Sequence, residues 1–184
     1  KHSLYLSFIS LLDLGDEVIV PAPYWVTYPE QIRLAGGVPI YVTCKPENGF
    51  VLQPEDLEAS VTRRTKAVII NSPNNPTGVV YSREQLQAIL DVCIKYKLAI
   101  ICDDIYEKLV FGDTKFTSMI ELSESAKEYC IVINGVSKSY AMTGWRIGYL
   151  AAPKDFVKIV GCMQGQMTSN PNSIAQWAAL EAIS

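Results

Sequence analysis

Long apolar runs, basic clusters and histidine are what this 184-residue sequence has little of. Its hydrophobic stretches, such as Val18-Ile19-Val20 and Leu98-Ala99-Ile100-Ile101-Cys102, are strand-sized at most. A membrane-spanning helix needs roughly 20 apolar residues, so none is expected. Lys and Arg number 16 against 19 Asp and Glu, a formal charge of −3. No basic block supplies the footprint of a nucleic-acid-binding protein. There is one histidine, His2, and five cysteines (Cys44, Cys93, Cys102, Cys130 and Cys162) that never fall in a Cys-x-x-Cys spacing. These make no metal-ligand constellation, and Asp103-Asp104 without histidine is a poor metal site. An odd set of cysteines in apolar surroundings reads instead as reduced thiols in a cytoplasmic protein. A Gly-x-Ser-x-Gly elbow, a P-loop and a Gly-x-Gly-x-x-Gly turn after a strand are missing too. Their absence removes the main supports for a hydrolase, a nucleotide triphosphatase or a dinucleotide oxidoreductase.

What the chain does have is 49% hydrophobic and only 19% charged residues, enough to bury one sizeable core. It opens on Lys1-His2-Ser3-Leu4-Tyr5, with no initiator Met and no signal peptide, which is expected of a piece of something longer. Turn signals divide it into alternating β-rich runs and helical stretches, the pattern of an α/β sheet. Leu4, Phe8, Leu11 and Leu12 share one helical face, and Asp13-Leu14-Gly15-Asp16 closes that helix. Strands are predicted at residues 17–21, 38–43, 66–71, 98–102, 130–134 and 145–152. Helices are predicted at 26–34, 55–61, 82–97 and 155–168, with the 82–97 helix opened by a Ser82-x-x-Gln85 capping box. A closing helix to Ile183 is predicted with Asn170 at its N-cap and Pro171 at its first position. The ten residues between the last two strands are too few for a parallel crossover. The last strand is therefore expected to be antiparallel in an otherwise parallel sheet.

Open parallel sheets bind ligands beyond the carboxyl ends of their strands. The polar residues gather there: Trp25 after the first strand, Asn75 after the third, Asp103 and Tyr106 after the fourth, Lys138 after the fifth. Only the fold can bring residues so far apart in sequence together.

The segment Ser137-Lys138-Ser139-Tyr140-Ala141-Met142-Thr143-Gly144-Trp145-Arg146-Ile147-Gly148-Tyr149 closely resembles the lysine segment of the class I aminotransferases. Asn74-Asn75-Pro76-Thr77-Gly78 is similar to the family's Asn-Pro-Thr-Gly loop, and Asp103-Asp104-Ile105-Tyr106 to its Asp-x-x-Tyr segment. Pro23-Tyr24-Trp25 resembles its aromatic stacking motif. The motifs occur in the family's order over nearly the whole chain. The resemblance implies the large domain of the aspartate-aminotransferase fold, a three-layer α/β/α arrangement. It would fill residues 1–184, with the smaller domain that binds the substrate α-carboxylate, and an N-terminal arm, lying outside. It also implies pyridoxal 5′-phosphate as cofactor, an amino acid (aspartate-like or aromatic) and a 2-oxo acid as substrates, and a homodimer.

Residue roles follow from the same resemblance. Lys138 would supply the amine that forms a Schiff base with the cofactor and, once displaced, carry the proton between substrate and cofactor. A cationic ring nearby and partial desolvation are expected to make it nucleophilic. Asp103 would keep the pyridine nitrogen protonated, with Asp104 as competitor. Asn75 and Tyr106 would hydrogen-bond the phenolic oxygen, and Trp25 would stack on the ring. Ser137 and Arg146 would hold the phosphate, a structural salt bridge being the competing explanation for an Arg in an apolar strand. The family often has a second Ser where this chain has Gly135. Lys1 matches the last residue of a glycine-rich turn whose following helix N-terminus holds phosphate. In some bacterial-type members that lysine faces a distal substrate carboxylate. The alternatives are a pyridoxal-phosphate lyase acting on Cα–Cβ or C–S bonds, and a cofactor-binding fragment without turnover.

Overall fold

The computed structural model describes residues 1–184. Helix α1 (His2–Leu11) leads into strand β1 (Glu17–Ala22), α2 (Thr27–Leu34) and β2 (Val38–Thr43). Then follow α3 (Pro54–Ala59), β3 (Thr65–Asn71), α4 (Arg83–Tyr96) and β4 (Ala99–Asp103). The chain continues through α5 (Ala126–Tyr129), β5 (Cys130–Gly135), β6 (Gly148–Ala151), α6 (Lys154–Thr168) and α7 (Ser173–Ile183). No helix is long and apolar enough to cross a membrane.

The strands form one sheet in the order β2-β1-β3-β4-β5-β6. All neighbours are parallel except β5 and β6, which are antiparallel. Period-two alternation sends Val18, Val20, Ala67, Ile69 and Ile101 to one face, where they pack with Leu4 and Phe8 of α1 and Tyr28 and Ile32 of α2. Ile19, Val68, Ile70, Ile100 and Cys102 point the other way, onto Leu57 of α3 and Leu86, Ile89 and Leu90 of α4. The central strands are covered on both sides, so they read as continuous apolar runs. The outcome is a three-layer α/β/α domain. Its strand order reverses between β1 and β3, and a crevice opens at the carboxyl ends on either side of such a switch.

The Ser82 hydroxyl accepts from the Gln85 N–H while the Gln85 side chain accepts from the Ser82 N–H, so the expected capping box is made in full. Other details differ from expectation. Residues 145–147 are not strand: Thr143–Trp145 is a single 3-10 turn, and Arg146 follows at φ 55°, a left-handed conformation that a strand cannot contain. At the start of α7 the N-cap is Asn172, not Asn170, because the Asn172 side chain accepts from the Ala175 N–H at 3.0 Å. The short turns of helix at Met119–Glu121 and Ala126–Tyr129 had no periodic signal to announce them.

Candidate active site

The ends of β1, β3, β4 and β5 open onto one cavity of about 700 Å³. Trp25, Asn75, Asp103, Tyr106, Ser137, Lys138, Arg146 and Lys1 all line it. Residues as far apart in sequence as Lys1 and Arg146 are thus brought together by the parallel sheet, most of them at or just beyond the end of a strand.

Asp103 is the last residue of β4 and 5% exposed. Burial raises its carboxyl above the usual range, opposed by hydrogen bonds from the Tyr28 hydroxyl (2.7 Å to Oδ2) and, at 3.4 Å to Oδ1, from the Ile105 N–H. Tyr28 is a site residue that the sequence reading missed. It lies three residues after Trp25, its N–H donating to the Trp25 carbonyl at 3.1 Å, and the two rings meet edge to face at 5.5 Å. Burial, with the Asp103 charge beside it, pushes its phenol well above the ordinary range, so it stays a donor. Asp104, the competitor, is directed elsewhere: its Oδ2 accepts from the Ser118 hydroxyl at 2.7 Å, and it does not line the cavity. Burial pushes it up to about 7, with the Ser118 bond opposing and the Asp103 charge adding.

Asn75 and Tyr106 converge, with Asn75 Nδ2 donating to the Tyr106 hydroxyl oxygen at 3.4 Å. The Lys138 ammonium lies 5.6 Å from the centre of the Tyr106 ring. Lys138 itself is exposed, so burial by this chain does not supply the partial desolvation expected; its turn forms the rim of the cavity. Arg146 is exposed as well and forms no salt bridge; its guanidinium donates to the Thr143 carbonyl at 2.6 Å. The structural ion pair that would have competed for it does not exist, because its left-handed turn lifts it out of the sheet. Lys1 sits 4.9 Å over the Trp25 ring and donates to the Thr27 hydroxyl. At Gly135 a Cβ atom would lie 2.8 Å from the Ile147 carbonyl oxygen, so the second serine common in the family has no room here.

A buried carboxylate with acceptor capacity to spare, two converging donors, an indole face and an unpaired guanidinium suit a flat aromatic cation with a phenolic oxygen and a phosphate. Pyridoxal 5′-phosphate has those features, and the residues fit it.

Fold and site together define a three-layer α/β domain with a polar cleft at the carboxyl ends of its parallel strands. Residues 2–184 match the model of the family described as aminotransferase class I and II, and the chain belongs to that family. It is similar to the aspartate aminotransferase of Geobacillus stearothermophilus, at 55% identity over all of this chain and 47% of that protein. It is also similar to a probable aspartate/prephenate aminotransferase of Aquifex aeolicus (strain VF5), at 51% identity over 100% of this chain and 46% of that protein. Among solved structures, an aspartate aminotransferase from Thermus thermophilus with maleate superposes with a TM-score of 0.95, at 45% identity over 100% of this chain and 47% of that one. An aspartate aminotransferase from Rhizobium meliloti gives 0.97, at 39% identity over 100% and 46%. The chain spans about half the length of the curated relatives it matches.

Proposed function

We propose that these residues are the cofactor-binding large domain of a pyridoxal-phosphate-dependent aminotransferase that exchanges an amino group between an amino acid and a 2-oxo acid. The observation that carries this reading is the meeting of Lys138, Asp103 and the Asn75–Tyr106 pair in one cavity. When bound, the cofactor serves as an electron sink for the substrate α-carbon. Lys138 would hold it through its amine and, when free, would be the base placed to take the proton from the substrate α-carbon.

Asp103 holds the proton on the ring nitrogen. A carboxylate whose burial disfavours its charge is for the same reason a strong partner for a cation placed against it. Tyr28 orients that carboxylate, leaving Oδ1 the less committed oxygen. Asn75 and Tyr106 would donate to the phenolic oxygen, Trp25 would offer its indole face to the ring, and Ser137 and Arg146 would hold the phosphate. The substrate is an aspartate-like or aromatic amino acid, on the strength of relatives named for aspartate and prephenate and of Lys1 beside Trp25. The lyase alternative finds no counterpart among these relatives. Family membership and five free cysteines support a cytoplasmic homodimer as the working form.

The test is the absorption spectrum of the intact protein between about 330 and 430 nm with added cofactor, before and after Lys138→Ala. The band of lysine-linked cofactor should vanish in the variant; identical spectra would overturn the assignment. In an assay with aspartate, one 2-oxo acid should be consumed per product formed. Product without that consumption would return the reading to a lyase.

A further inference from the structure

We infer that Asn71 is a positioning residue that sets the spacing between the groups at the two ends of the cofactor ring, an inference that rests on the reading of the site given above. Asn71 is the last residue of β3, 5% exposed and paired in register with Asp103 on β4. Both ends of its carboxamide are used. Its Oδ1 accepts from the Asn75 backbone N–H at 2.8 Å, and its Nδ2 donates to the Asp103 carbonyl at 2.8 Å.

The loop that carries Asn75 and the strand end that carries Asp103 are thereby referenced to the same planar group. Tyr106 moves with Asp103, since the intervening turn is closed by the Glu107 N–H on the Asp104 carbonyl at 2.9 Å. Asn75 Nδ2 reaching the Tyr106 hydroxyl closes the circuit. A side chain with only a donor or only an acceptor could hold one of these segments but not both. The bonds Asn71 makes are to backbone, so it acts through Asn75 and Asp103 and is not itself a catalytic residue.

Hydrogen bonds to the phenolic oxygen set the pH midpoint of the bound cofactor's visible absorbance. With donors lost or misplaced that oxygen is more basic, and the midpoint rises. In the intact protein loaded with pyridoxal 5′-phosphate, Asn71→Leu should raise the midpoint by about one pH unit, the size of one weakened hydrogen bond to a charged group. The shift should be less than additive with that of Asn75→Ala, because both act on the same donor. Asn71→Ala makes the same deletion without added bulk and should shift the midpoint in the same direction. A parent-like midpoint in both Asn71 variants, or full additivity with Asn75→Ala, would overturn the inference. A parent protein with no lysine-linked absorbance at all would overturn the reading of the site, and this inference with it.

Discussion

On one side of the cavity, Asp103, Tyr28 and Asn71 are buried and tied to one another or to neighbouring backbone; on the other, Lys138 and Arg146 stand exposed on the connection between β5 and β6. The buried side is fixed by the same packing that holds the sheet together, so its side chains serve stability and chemistry at once. The exposed side contributes little to folding, and its side chains can move. This division suits the proposed roles, a lysine that exchanges partners and carries a proton opposite a carboxylate held still.

Substitutions on the two sides should therefore separate activity from stability. The largest effect is expected from Lys138→Ala: a loss on the order of 10⁴-fold in turnover of the intact protein, with an unchanged unfolding midpoint. Asp103→Asn should cost roughly 10²- to 10³-fold in turnover, as for removal of one preorganised electrostatic contact. Arg146→Ala should weaken cofactor binding about 10- to 100-fold in equilibrium titration, while stability stays within about 0.5 kcal/mol. A destabilisation well beyond that would break the comparison, because it would make the exposed side structural.

Tyr28→Phe should lower stability by about 1–3 kcal/mol, measured by urea unfolding, since it strips a buried carboxylate of its closest donor. The last comparison concerns pH. Asp104 holds its proton up to about 7 when folded, against about 4 in an unfolded chain. The folded state thus binds more protons across that window, and stability present at low pH is lost as pH rises from about 4 to about 7. Asp104→Asn, whose side-chain oxygen can still accept from Ser118, should flatten that slope between about pH 4 and about pH 7. A slope as steep as in the parent would assign it to other groups.

Much of this architecture was readable in advance because its signals are local. The apolar run before Asp103 marked a covered strand, Ser82 and Gln85 marked the start of α4, and the short span before Gly148 marked an antiparallel turn. The motif residues stood at strand ends, where a parallel sheet gathers them. Tyr28 and Asn71 escaped notice because their roles exist only between elements distant in sequence: nothing about a tyrosine in an amphipathic helix announces a bond to a residue 75 positions away. Arg146 was misplaced in a strand because its neighbours are apolar, and composition carries no trace of a left-handed residue after a 3-10 turn. Asn170 and Asn172 are chemically equivalent caps, and only the path of the backbone chose between them.

The close approach of Gly135 to the Ile147 carbonyl and to Gly148 bears on how this site could diversify. In a library randomised at position 135 alone, glycine should dominate the functional survivors, because a side chain there pushes against the backbone that positions Arg146. Randomising 135 together with 147 and 148 should release other residues, serine among them. The route to a second hydroxyl near Lys138 therefore runs through paired changes rather than single ones.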